Sequence, residues 1–292
     1  MNKDVLKRWP MVIGFVLFGL GLFVVLVYYR FPYNRLTAYL LDQVNEDGRI
    51  NVTVESLKPT RPINFVLKKT VIQLPVGKTL VPLFEPRDID VQVGLWPLLT
   101  RRLNVSFSSK IFSGNISGQI NTDLAFRDLS ARVDSRGMDL SQCPYLQAAA
   151  DIGVTGKLSG GGTYRGTQDW LTGTGKVQLS LEDGVLTRLS RLQIPLDTVP
   201  YKNIKAALAL DKGRIVVSDF SIKSDQLTAE ASGIILPAQP LINSSLDLKV
   251  TLVMGPASPA PGSGPGRAPG GLRMVMLIKG TLHSPQVQMQ HK

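Results

Sequence analysis

The sequence predicts a mainly β protein: an N-terminal transmembrane helix, then a short amphipathic helix, then a curved antiparallel β-sheet domain. Three observations carry this expectation. One uncharged apolar run opens the chain, apolar side chains recur with a period of two from Ile50 onward, and glycines recur in the middle of the alternating stretches.

Met11 to Tyr29 reads MVIGFVLFGLGLFVVLVYY, nineteen residues without a charge. As a helix that length crosses roughly 30 Å of hydrocarbon, and a helix satisfies its own backbone there. The run exceeds the core of a cleaved signal peptide, about 7 to 15 residues, and no small-x-small exit follows it. Lys3, Lys7 and Arg8 crowd its front, whereas Arg30, Arg35 and Arg49 are spread behind it. By the positive-inside rule, residues 1–10 stay cytoplasmic and the bulk of the chain lies across the membrane. Tyr28, Tyr29 and Tyr33 then sit at the outer interface.

Phe31 and Pro32 end that helix, and residues 30–48 form a juxtamembrane segment. Asn34 is placed to cap a helix from Arg35 to about Val44, with Leu36, Leu40, Leu41 and Val44 on one face. Asp47 and Gly48 make a turn. From residue 49 to 292 the pattern is that of strands: Val52 and Val54, Ile89, Val91 and Val93, Leu103, Val105 and Phe107, each alternating with polar neighbours. Val177, Leu179 and Leu181 precede an expected turn at Glu182, Asp183 and Gly184. Ile204, Ala206, Leu208 and Leu210 precede another at Asp211, Lys212 and Gly213. In the clearest stretch, Leu246, Leu248, Val250, Leu252 and Met254 oppose Ser245, Asp247, Lys249 and Thr251. Short amphipathic strands joined by Gly and Asp turns indicate an antiparallel sheet.

An apolar-x-Gly-x-apolar pattern centres on Gly118, Gly156, Gly233 and Gly280. Glycine inside a strand marks a bulge or close backbone approach, so its recurrence suggests a sheet that bends. Cys143 to Ala150 reads as a brief helical turn, and Tyr164 to Thr172 as a polar connection. Gly160, Gly161 and Gly162 read as a tight turn. Residues 255–271, GPASPAPGSGPGRAPGG, are a disordered loop by composition, and Met274, Met276 and Ile278 resume a strand beyond it.

The net charge of +11 is scattered rather than gathered with aromatic residues, which argues against a nucleic-acid surface and is compatible with anionic head groups or acidic partners. Cys143 is the only cysteine, so no intramolecular disulfide exists. His283 and His291 have no metal-ligand spacing, and Gly77-Lys78-Thr79 lacks the earlier glycine of a phosphate-binding loop, Ile72 standing there. The Asn-x-Ser/Thr triplets at Asn51, Asn104, Asn115 and Asn243 matter only on a eukaryotic secretory route. No catalytic, cofactor or metal residue is nominated, and the chain reads as non-enzymatic.

Several segments together resemble the type II secretion system protein N family, GspN. They are Phe31-Pro32-Tyr33-Asn34-Arg35-Leu36 after the anchor, Leu179-Ser180-Leu181-Glu182-Asp183-Gly184, Asp211-Lys212-Gly213-Arg214-Ile215 to Phe220, and Ile278-Lys279-Gly280-Thr281-Leu282-His283-Ser284-Pro285. The closing Gly-Thr-Leu-x-x-Pro is also similar to AsmA-like proteins. The resemblance implies a single-pass bacterial inner-membrane protein with a periplasmic β domain. That domain would support export of folded proteins across the outer membrane through contacts with the inner-membrane platform, pseudopilins or secretin. The long Gly/Pro loop departs from the pattern. An alternative implied by the AsmA likeness is lipid binding or transfer, in which an uncovered apolar face takes phospholipid acyl chains. Leu246, Leu248, Val250, Leu252 and Met254 then line either a groove or a closed core.

Overall fold

The computed structural model describes residues 18–19, 22, 30, 33–46, 50–61, 64–76, 79–94, 96–97, 100–125, 127–149, 153–167, 169–188, 197–238, 243–254, 272–281 and 284–290. Most of the apolar stretch 11–29, the turn at Asp47 and Gly48, His283, His291 and the loop 255–271 lie outside them. Among the described residues no helix is long and apolar enough to cross a membrane.

The strands form one antiparallel sheet of sixteen, a meander with almost no crossover. They are β1 Asn51–Arg61, β2 Asn64–Val76, β3 Thr79–Phe84, β4 Asp88–Val93, β5 Arg102–Ile111, β6 Gly114–Asp123, β7 Leu129–Asp139 and β8 Gly153–Val154. Then follow β9 Lys157–Gly166, β10 Thr174–Thr187, β11 Thr198–Asp211, β12 Arg214–Lys223, β13 Leu227–Leu236, β14 Ser245–Met254, β15 Leu272–Thr281 and β16 Pro285–Gln290. Each pairs with its neighbour in the chain, with two departures. The long β2 is flanked on one side by β4 at Asn64–Lys68 and by β3 at Ile72–Val76. The short β8 extends β9 along β10, at Leu186 and Thr187.

Helix α1, Tyr33–Asn45, packs on β1. Asn34 falls on the helix rather than in front of it, where an N–H of the first turn needs no intrahelical acceptor. Asn45 closes the junction: its Oδ1 accepts from the Val52 N–H at 2.7 Å and its Nδ2 donates to the Val52 carbonyl at 3.0 Å. The side chain thus does for the outer edge of β1 what another strand would do. Helix α2, Pro144–Ala149, packs against β3, and the buried Cys143 thiol donates to the Leu83 carbonyl at 3.7 Å.

Three sequence expectations are corrected here. Glu182-Asp183-Gly184 is no turn: β10 runs through it, with Asp183 in the left-handed region at φ +50°. Residues that permit a turn also permit a kink within a strand, and here pairing to β11 on one side and β9 on the other keeps the chain extended. Gly160-Gly161-Gly162 is the middle of β9, held between β7 and β10. Tyr164 belongs to the same strand, so the connection is shorter than expected, with a 3-10 turn at Trp170–Thr172.

Of the four patterned glycines, Gly118, Gly233 and Gly280 lie in strands, while Gly156 makes the bend between β8 and β9. Gly233 has φ +152° and faces the bulge where the β12 pairing shifts between Val217 and Phe220. A Cβ there would run into the Asp247 carbonyl oxygen of β14. Gly118 leaves room for the Phe107 ring, 2.5 Å from where its Cβ would stand. Gly162 is different, with extended φ, and a Cβ there would meet Val177 Cγ2 at 3.3 Å and the Lys176 carbonyl oxygen at an ordinary 3.5 Å. Replacing Gly233 by Ala should therefore cost about 3 kcal/mol, combining backbone strain with the backbone clash, and Gly162→Ala less than about 1 kcal/mol. Denaturant midpoints of the two variants check this; equal losses would show that the bulge does not require glycine.

Candidate functional site

Register carries one row of side chains from β2 to β16 on a single face: Phe65, Val91, Phe107, Gly118, Val133, Gly162, Val177, Leu208, Val217, Gly233, Leu248, Ile278 and Val287. Every member is apolar or glycine. The neighbouring row on the other face includes Asp90, Ser108, Ser117, Asp134 and Gln178. The sheet is thus apolar on one side across its width, and on the other side polar from β4 to β10.

Burial along the apolar face is graded. Most of the fully buried apolar side chains lie toward one end of the strands: Ile111, Met138, Leu181, Leu186, Val199, Tyr201, Leu227, Ala229 and Leu252. All of these but Ile111 and Met138 join one cluster, which Leu158, Ile204, Ile222, Val250 and Met274 extend. Tyr201 shows how tightly that end is fitted. Its ring tip enters the space that Gly156 and Gly184 leave open, and its hydroxyl donates to the Thr155 carbonyl. Burial, with the nearby Asp183 carboxylate, pushes its phenol up to about 12.

Toward the middle of the strands the same face is only half buried. At Ala131, Val133 and Ser135 of β7, Gly160, Gly162 and Tyr164 of β9, and Val177 and Leu179 of β10, it opens into a hollow of about 320 Å³. The glycines make this hollow, because two successive inward positions of β9 carry no side chain. Val133 at its rim is 37% exposed, high for a valine on an otherwise apolar face. The chemistry available is dispersion and burial of apolar surface, which selects for alkyl chains over polar ligands.

The residues nominated from sequence sit on this face but not at the hollow. Leu246 and Leu252 are buried, Leu248 and Val250 are half buried, and the Met254 side chain lies outside the described residues. Leu252 meets Ala229 and Met274, Val250 meets Ala231 and Met276, and Leu248 meets Gly233 and Ile278. Leu252 thus belongs to the core cluster, and the stretch supplies packing at least as much as surface. The hollow was hidden because a glycine triplet looks like a turn. The usable signal was the parity of Leu158, Gly160, Gly162 and Tyr164, which places all four on one side of a strand.

The polar face has its own concavity, of about 780 Å³, bordered by Gln119, Asn121, Arg132, Thr163, Arg165, Lys176 and Asp211 among others. Arg132 is held by Asp134 at 2.9 Å. No group of His, Cys, Asp and Glu suited to a metal occurs among the described residues.

Tyr201 gives a pH test of the packed end. The unfolded chain ionises this phenol near 10 and the folded chain at about 12. Its contribution is complete below the lower value and is lost as pH rises through the upper one. Tyr201→Phe should flatten the fall in stability across that window by about 2 kcal/mol, read from denaturation at both ends of it. An unchanged slope would mean that the hydroxyl is not shielded. No family model, curated protein or solved structure matches this chain.

Proposed function

We propose that the chain is a non-enzymatic component of the type II secretion system, held at the bacterial inner membrane by residues 11–29, with its β domain in the periplasm. It would support export of folded proteins by contacting the inner-membrane platform, pseudopilins or secretin. The observation that carries this reading is the junction of α1 with β1. The apolar stretch ends at Tyr29, α1 begins at Tyr33, and Asn45 ties the end of α1 to Val52. A membrane anchor so connected would set the position of the whole sheet, as a docking scaffold requires. The segments behind the family resemblance support it further. Residues 179–184 lie in β10, residues 211–220 span the β11–β12 turn, and residues 278–285 span the β15–β16 connection.

A second reading, binding of phospholipid acyl chains along a curved sheet, is favoured by the hollow at Val133, Gly160, Gly162 and Val177. The two are compatible, since a scaffold can also hold lipid.

Deletion of the gene should leave folded substrates of the secretion system in the periplasm, and crosslinked full-length protein should enrich platform, pseudopilin or secretin subunits. Undiminished secretion by the deletion strain sinks the first reading. For the second, Val133→Trp fills the hollow from its exposed rim with little expected loss of stability. Phospholipid retained by full-length protein through purification should fall severalfold in that variant. Equal lipid in parent and variant would place any lipid elsewhere.

A further inference from the structure

The two edges of the sheet differ in kind. β1 carries the usual guards of an edge strand: Glu55 in an ion pair with Lys69 at 2.7 Å, the charged Lys58 and Arg61, and Pro59, which has no N–H to offer. In addition, α1 lies against it and Asn45 occupies the N–H and C=O of Val52. Among the described residues, β16 has neither a covering helix nor a charge, and its one proline, Pro285, stands at its first position. Its sequence is Pro285-Gln286-Val287-Gln288-Met289-Gln290, without a charge, and its side chains from Pro285 to Met289 are exposed. Among the described residues nothing pairs with its outer edge.

Val287 and Met289 continue the apolar face beyond Ile278 and Met276, at 39% and 41% exposure. Gln286 and Gln288 continue the polar face. A partner strand must therefore be uncharged, or nearly so, and alternate with the same parity. β16 itself meets that requirement.

We propose that the outer edge of β16 pairs with β16 of a second copy, antiparallel, about a two-fold axis at Gln288. In that register Val287 faces Met289 on the apolar side, Gln288 faces its own image on the polar side, and Gln286 pairs with Gln290. No charge is left opposed, and Pro285, which cannot donate to a ladder, falls outside the paired stretch. The guarded β1 decides the closure of the assembly. Addition of β16 to β1 of the next copy would propagate an open fibre, and α1 with Asn45 stands in its way. The remaining edge-to-edge contact is isologous and stops at two. The apolar face then runs unbroken from one copy into the other.

The test uses the full-length chain in its membrane. Gln288→Cys should give a covalent dimer on mild oxidation, because directly opposed positions bring Cβ atoms to about 5 Å. The parent chain, whose single Cys143 is buried, and Lys249→Cys on the interior strand β14 should give none. Changing Gln286, Gln288 and Gln290 together to Lys sets like charges against each other. It should weaken the dimer about tenfold or more in sedimentation of detergent-solubilised protein, with thermal stability kept. A Gln288→Cys chain that stays monomeric, or is trapped only by a different polypeptide, overturns the proposal. So does a lysine variant that dimerises as well as the parent.

Discussion

Register parity is the constraint on which the rest of this structure depends. Successive side chains of a strand point to opposite faces, so slipping any strand by one residue would turn its apolar set to the polar side. In a meander with this many strands, an uncorrected slip would pass to every strand that follows. The row from Phe65 to Val287 shows that none does so. Where the chain carries an extra residue, the extra is absorbed locally. The β7 pairing shifts between Ser135 and Met138 around Gly137 at φ +63°, and the β12 pairing shifts between Val217 and Phe220 opposite Gly233. At Lys69 and Asp183 a left-handed residue changes which parity faces inward, and the partner strand changes with it, so that Leu181 beside Ile204 gives way to Leu186 beside Val199 as the inward pair.

These devices explain why the sheet has a packed end and a more open middle. Near the packed end, Tyr201 fills the space beside Gly156 and Gly184, while α2, β3 and Cys143 meet at the Leu83 carbonyl. Toward the middle of β9, the glycines serve the opposite purpose. Gly160 cannot take a side chain without meeting the Gln178 carbonyl and Leu179, so the backbone approach that seats β9 beside β10 also forbids a filler at that position of the hollow. Close pairing and the vacant floor are two results of one substitution pattern.

Much of this was legible in the sequence, and what was not has a physical reason. Alternation placed Leu246 through Leu252 on one face and Ser245, Asp247 and Lys249 on the other, as the register has them. Asp211-Lys212-Gly213 makes the β11–β12 turn, with Lys212 and Gly213 both at positive φ as a two-residue hairpin demands. β14 and β15 pair directly across the loop 255–271, as the resumed alternation at Met274 implied. The misreadings arose where one chemistry serves two conformations. Asp183-Gly184 can turn a chain or kink a strand, and only the two neighbours of β10 decide between them. In the converse case, the β5–β6 hairpin turns at Phe112 and Ser113, both at positive φ, without the Gly, Asn or Asp that such a turn favours at those two positions. The Phe112 ring is held 6.0 Å from Phe84, and its carbonyl accepts from the Asp139 N–H at 2.8 Å, so tertiary contacts impose what local preference would refuse.

The functional readings meet in the same architecture. A one-sided sheet exposes apolar surface wherever its face is not packed, and each 100 Å² left in water forgoes roughly 2.5 kcal/mol. The half-buried middle of this face, from Val133 through Val177 to Leu248, is thus a standing demand for cover. Acyl chains would meet it, and so would the apolar side of a protein partner. The edges offer a different contact, because an unpaired ladder seeks backbone rather than surface. A scaffold tied to the membrane through α1 could use face and edge at once without competition. The face selects partners by apolar area, and the β16 edge selects them by alternation and the absence of charge. That division also fits the placement of the guards: β1, beside α1, is closed by Asn45 and its charges, which leaves open the end of the sheet farthest from α1 in strand order.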